Sequence, residues 1–179
     1  MNFTPAAEAT GAVVAAITDD QLGLPTPSPD HTVGTLLAHV DALSVGLAYT
    51  ARKAAAPPDP GTLRPGWRSR IPAQLLELAR RWEDPAAWTG RTAAGGVPLD
   101  AADAGMFALD EIVVHGWELA RATGRPYATD EAAVRACADF LDGAARSSAL
   151  FGPVVEVPPD APAIDRLIGL TGRDPNWRR

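Results

Sequence analysis

The chain has 179 residues, enough for one substantial core and short for two, so a single domain over residues 1–179 is expected. With 46% apolar and 21% charged residues it is balanced like a folded globular protein, and an alanine-rich apolar set with 6% aromatics favours packed helices over a sheet. A net charge of -6 with a single lysine, Lys53, argues against a phosphate-binding surface, so no nucleic-acid partner is expected.

In chain order, the first helix is expected from about Pro5 to Ile17, with Ala6, Val13, Val14 and Ile17 on its apolar side. Pro25, Pro27 and Pro29 close the next loop. A second helix opens at Asp30 or Thr32, either able to cap free N–H groups, and runs past Tyr49 with the stripe Leu36, Leu37, Val40, Leu43 and Leu47. Four prolines make Ala54–Gly66 a loop that ends at Trp67, before a helix over about Pro72–Trp82 with Leu75, Leu76 and Ala79 inward. Asp84–Val97 reads as an irregular connection in which a short hairpin at Gly95-Gly96 is also compatible. The longest helix is expected from about Leu99 to Ala122, stopped by Gly124 and Pro126. A fifth begins at Thr129 or Asp130 and reaches Leu141. After Ala145 prolines imply an extended tail with one short helix around Ala163–Gly169. The fold class is therefore all-α: an up-and-down four-helix bundle with an extra short helix and an irregular C-terminal tail.

Cys137, the single cysteine, rules out an intrachain disulfide and fits the apolar face of the fifth helix as a core residue. No apolar run is read as nearing the roughly 20 residues that span a bilayer, and Met1–Ala15 lacks the pattern of a signal peptide. A cytoplasmic protein with no membrane partner is expected.

Of the three histidines, His39 lies in the second helix between Leu36 and Leu43, directed toward the interior. Glu111 and His115 are four apart on the long helix, which puts them on one face about 5–6 Å apart at Cβ. Two imidazoles and a carboxylate suit a borderline divalent ion such as zinc, commonly held by three protein ligands with a fourth position open. The plain alternatives are a hydrogen-bonded helix histidine and a surface i,i+4 pair. Against the second, Glu111 stands among Phe107, Leu109, Ile112, Val113 and Val114, where an unpaired carboxylate is costly to bury. Glu118, one turn beyond His115, is either a support that hydrogen-bonds a ligand or substrate near the metal, or a surface acid. His31, at the mouth of the second helix, is read as a capping or packing residue without a metal role.

The segments Thr32-Val33-Gly34-Thr35-Leu36-Leu37-Ala38-His39-Val40 and Asp110-Glu111-Ile112-Val113-Val114-His115-Gly116-Trp117-Glu118-Leu119-Ala120 resemble the two metal-binding helices of the DinB-like superfamily. In particular they are similar to the N-terminal domain of mycothiol-dependent maleylpyruvate isomerase, and Gly172-Arg173-Asp174-Pro175 resembles the end of single-domain members. The resemblance implies a four-helix bundle binding zinc or nickel through His39, Glu111 and His115. Two positions depart from it: His31 stands where the family often has Trp, and Glu118 stands where it has Asp. The resembling isomerase also carries a C-terminal domain that helps to bind the thiol, and no such domain is expected within these 179 residues.

Three functions follow as expectations. The first is a metal-dependent S-transferase or isomerase in which a small thiol, mycothiol by resemblance, meets a small electrophile. The second is metal-dependent hydrolysis, with Glu118 or Asp110 as base. The third is a non-catalytic metal-binding stress-response protein. A homodimer is compatible with a helical bundle, although no motif specifies one.

Overall fold

The computed structural model describes residues 1–142 and 151–179. The described residues are mainly helical, with six helices and one two-stranded hairpin. The expected onset of the tail, after Ala145, lies outside them.

Helix α1 (Thr4–Ala16) starts where Asn2 Oδ1 accepts from the Thr4 N–H at 3.0 Å, with Pro5 in the first turn. Helix α2 (Val33–Ala51) is capped by Thr32, the second of the two expected openings: Thr32 Oγ1 accepts from the Thr35 N–H, and Thr35 Oγ1 accepts from the Thr32 N–H.

Helix α3 (Trp67–Arg81) corrects the expected start at Pro72, which lies inside it. Trp67, Ile71, Leu75 and Leu78 form one buried stripe at steps of four, four and three, while Leu76, expected to face inward, is exposed on the other side. Burying Trp67 and Ile71, each worth about 1.5–3 kcal/mol, outweighs the single backbone bond that Pro72 cannot donate.

The segment expected to be irregular contains strands β1 (Arg91–Ala94) and β2 (Val97–Asp100), paired antiparallel from Arg91↔Asp100 to Ala94↔Val97 around the Gly95-Gly96 turn. The hairpin is tied to the end of α2, because Thr92 Oγ1 donates to the Thr50 carbonyl at 2.8 Å and Thr50 Oγ1 donates to the Ala93 carbonyl at 3.0 Å. Leu99 consequently belongs to β2, and α4 (Ala101–Thr123) begins two residues later than expected. Gly124 ends α4 with φ 68°. Asp130 Oδ1 caps the start of α5 (Glu131–Asp142) by accepting from the Ala132 N–H, and α6 (Ala163–Leu170) follows.

Helices α1 and α2 each pack on both α3 and α4, and α5 packs on α4 and α6. Helix α4 is thus central and buried along most of its length. Helix α2 corrects the expectation about apolar runs: its 19 residues, at a mean hydropathy of 1.2, are long and apolar enough to cross a bilayer by length and composition. Half of that window is covered inside the protein, and the helix carries a paired acid in its buried face.

That acid is Asp41, 1% exposed, gripped by Arg64 of the proline-rich loop and Arg70 of α3 through four bonds of 2.7–3.2 Å. Burial pushes its carboxyl up, but hydrogen bonds from Arg70 and Arg64 outweigh burial and hold it below the usual carboxylate range. A depressed folded pKa stabilises the fold above the unfolded value, near about 3.9, and that stability is lost as pH falls through the folded value. Denaturant titrations below pH 5 are therefore expected to show a shallower loss of stability in Asp41→Asn than in wild type. Equal slopes would remove this pair from the acid response.

Candidate metal centre

The cap at Thr32 sets the register of α2 so that Leu36, Leu37 and Val40 are buried, while His39, expected to point into the interior, stands instead at the edge of that face with its side chain 43% exposed. On α4, Glu111 and His115 come from successive turns of the face that meets α2, with side-chain exposures of 16% and 8%. Neither is a surface residue. Glu111 Oε2 lies 2.9 Å from His115 Nε2 and 3.6 Å from His39 Nε2, and the two rings stand at 90° with centroids 4.9 Å apart. One donor atom from each residue lies within 4.8 Å of the other two. Ligand bonds of about 2.0–2.2 Å reach a common centre from such a set with small side-chain adjustments, and two nitrogens plus a carboxylate oxygen are the donors a borderline divalent ion takes.

Electrostatics bind this cluster together without an ion. Burial would lower the His115 pKa, but the Glu111 charge and hydrogen bonds to Glu111 and Glu118 push it up to about 10. Burial would raise Glu111, yet the His115 charge, the hydrogen bond from His115 and the nearby His39 hold it well below the usual carboxylate range. A protonated imidazole between two carboxylates marks where a cation is stabilised, and a metal ion would take that proton's place.

Glu118 is fully buried, which removes the surface-acid alternative. Its Oε2 accepts from His115 Nδ1 at 2.7 Å and its Oε1 accepts from Arg173 Nε at 2.8 Å. Arg173 was not singled out as a site residue in the sequence. The signal was its place in Gly172-Arg173-Asp174-Pro175, together with the need of any buried acid on α4 for a cation.

His31 is not the cap of α2; its ring lies 5.8 Å from that of His39, so all three histidines form one row. Its Nδ1 is buried without a hydrogen-bond partner among the described residues. Burial and the neighbouring His39 and His115 lower its pKa. Asp110, the other expected acid, is 1% exposed; burial and the Glu111 charge push its carboxyl up to about 8. Cys137 is fully buried, and burial followed by the Asp110 charge pushes its thiol up, which keeps it an uncharged core residue.

The close approach of α1 and α4 beside the site depends on Gly116. A Cβ there would lie 2.1 Å from Thr10 Oγ1 and 2.7 Å from the Tyr127 ring. Thr10 Oγ1 donates to the Ile112 carbonyl at 3.0 Å and lies 3.1 Å from Tyr127 Oη.

The sequence pattern described as the mycothiol maleylpyruvate isomerase N-terminal domain matches residues 3–120, a span that includes His39, Glu111, His115 and Glu118. Two uncharacterized proteins of Mycobacterium tuberculosis, from strains CDC 1551 and H37Rv, are each 31% identical over 183 residues, covering 94% of this chain and 93% of the relative. No solved structure matches this chain significantly. A pattern match over more than half of the chain, coinciding with the convergence of its three donor residues, establishes that the protein belongs to the mycothiol maleylpyruvate isomerase N-terminal domain family.

Proposed function

We propose that the protein is an enzyme that binds one divalent ion, zinc or nickel, through His39, Glu111 and His115 and uses it to direct a small thiol at a small electrophile. The observation that carries this reading is the donor cluster itself: three donors within 4.8 Å of one another, with the His39 side open to solvent. Three protein donors leave a coordination position for an incoming group. Family membership supports mycothiol as the thiol and a transfer or isomerisation as the reaction. The packing of α1 and α2 on α3 and α4 supports an up-and-down four-helix bundle as the scaffold. We place this activity in the cytoplasm, with small molecules as partners.

When bound, the ion would supply Lewis acidity that favours the deprotonated form of a coordinating thiol. The chain's own residues do the rest. Glu118 holds the Nδ1–H of His115, which leaves the Nε2 lone pair for the ion. Glu111 supplies the negative charge, and α2 brings His39 to the same point. Asp110 and Glu118 are too buried to contact a substrate, which favours thiol chemistry over hydrolysis with either as base.

Metal analysis and titration of the purified protein test the site. Wild type is expected to hold one zinc ion, His39→Ala, Glu111→Ala and His115→Ala each to lose tight binding, and His31→Ala to retain the stoichiometry. Zinc should raise the melting temperature of wild type, because it binds the folded chain in preference to the unfolded one. Zinc affinity should also rise with pH, since His115 must shed a proton whose pKa is raised to about 10. With cobalt in the site, mycothiol should produce a sulfur-to-metal charge-transfer band in the near ultraviolet. Full zinc retention by His39→Ala sinks the donor set, and a silent cobalt spectrum at millimolar thiol sinks the thiol reading.

A further inference from the structure

We propose that Arg173 is a positioning residue of this centre: by fixing Glu118 against His115 Nδ1, it keeps His115 Nε2 turned toward the ion. The inference rests on the metal site proposed above and extends it to a segment outside the family match, which ends at residue 120.

Glu118 has no exposed surface, and its two oxygens have different partners, Oε2 on His115 and Oε1 on Arg173. The guanidinium is itself held, for Arg173 Nη1 donates to the Thr171 carbonyl at 3.1 Å while Nε serves Glu118 at 2.8 Å. The backbone that delivers it is constrained. Gly172 has φ 83°, a conformation that disfavours a side chain, and a Cβ there would lie 2.8 Å from the Gly152 backbone. Beyond it the segment is fastened to α4 a second and third time: Arg121 Nη2 donates to the Pro175 carbonyl at 2.9 Å, and Arg179 Nη1 donates to the Ala122 carbonyl at 3.5 Å.

A carboxylate that orients a ligating histidine is effective only while it stays fixed. In a fully buried position one hydrogen bond from His115 leaves Glu118 half-satisfied, and an acid free to rotate would release the imidazole. Arg173 prevents this rotation by holding the second oxygen. Without it, the donor triad would be present but loosely aimed.

The test uses the full chain, with zinc affinity measured by competition against a chromophoric chelator and the His115 tautomer read by nitrogen NMR of the zinc-loaded protein. Arg173→Gln is expected to keep one zinc per chain but to bind it about 10–100-fold more weakly, with broadened or shifted His115 ring signals. Glu118→Gln should weaken zinc to a similar degree, and the double variant should be no weaker than Glu118→Gln alone, as required if Arg173 acts through Glu118. Arg179→Gln removes a neighbouring anchor of the same segment and should leave zinc affinity unchanged. Unaltered affinity and tautomer in Arg173→Gln, or equal weakening in Arg179→Gln, would overturn the proposal even if the melting temperature fell. Should Arg173→Gln not fold, Arg173→Lys keeps the charge without the fixed fork and is expected to show an intermediate loss; wild-type affinity in that variant counts against the proposal. Absence of stoichiometric zinc from wild type itself would instead sink the metal centre, and this inference with it.

Discussion

Replacing Arg64 and Arg70 together by Ala is expected to lower stability by about 3–5 kcal/mol, read as the shift in denaturant midpoint at constant slope. Asp41 is 1% exposed, and among the described residues these two make every side-chain hydrogen bond to its carboxylate, so the double variant strands a charge in the interior. Removing the acid should cost less. In Asp41→Ala the orphaned groups are Arg64 and Arg70, whose side chains are 44% and 25% exposed and can turn to water. The asymmetry is the diagnostic result: a double arginine variant no less stable than Asp41→Ala would mean that water already reaches Asp41. The clamp also matters for the site, because Asp41 lies two residues from His39 on α2 and its arginines tie that helix to α3 and to the proline-rich loop.

The features legible in the sequence were those written in local spacing. The α2 stripe and the Thr32 cap fix the register that brings His39 to α4, and the four-residue separation of Glu111 and His115 puts both on one face before any tertiary contact is considered. What was less legible depended on partners far along the chain. Four-residue strands give too short an alternation to separate from loop, and β1 and β2 are held by hydroxyls of Thr50 and Thr92, 42 residues apart. Pro72 signalled a helix start because its local preference is strong, whereas the burial of Trp67 and Ile71 that overrides it is a tertiary quantity. His31 is placed by turn geometry, through its backbone bonds to Ser28 and Thr26, and neither is readable from periodicity. Arg173 reaches Glu118 across 55 residues of sequence, and only the burial of Glu118 makes the pair necessary.

Gly116→Ala is expected to be strongly destabilising although the residue has no functional group of its own. Alanine favours a helix interior over glycine by about 1 kcal/mol, so propensity alone predicts a gain. Packing reverses the sign. The added Cβ would fall 2.1 Å from Thr10 Oγ1 and 2.7–2.8 Å from Tyr127, distances at which the backbones of α1 and α4 must part or the hydroxyl must move. Overpacking of this kind costs about 1–3 kcal/mol, and parting the helices also breaks the Thr10 bonds to the Ile112 carbonyl and Tyr127, worth about 1 kcal/mol each. The net expectation is a loss of about 2–4 kcal/mol, visible as a lower denaturant midpoint. Because the residue adjoins His115, the displaced turn of α4 should also weaken zinc binding at temperatures where the variant remains folded. Thr10→Ala removes the nearest obstructing atom, so combining it with Gly116→Ala should give a loss smaller than the sum of the two single losses. Additive losses in that cycle, or a Gly116→Ala variant as stable as wild type, would show that α1 and α4 do not meet at this point.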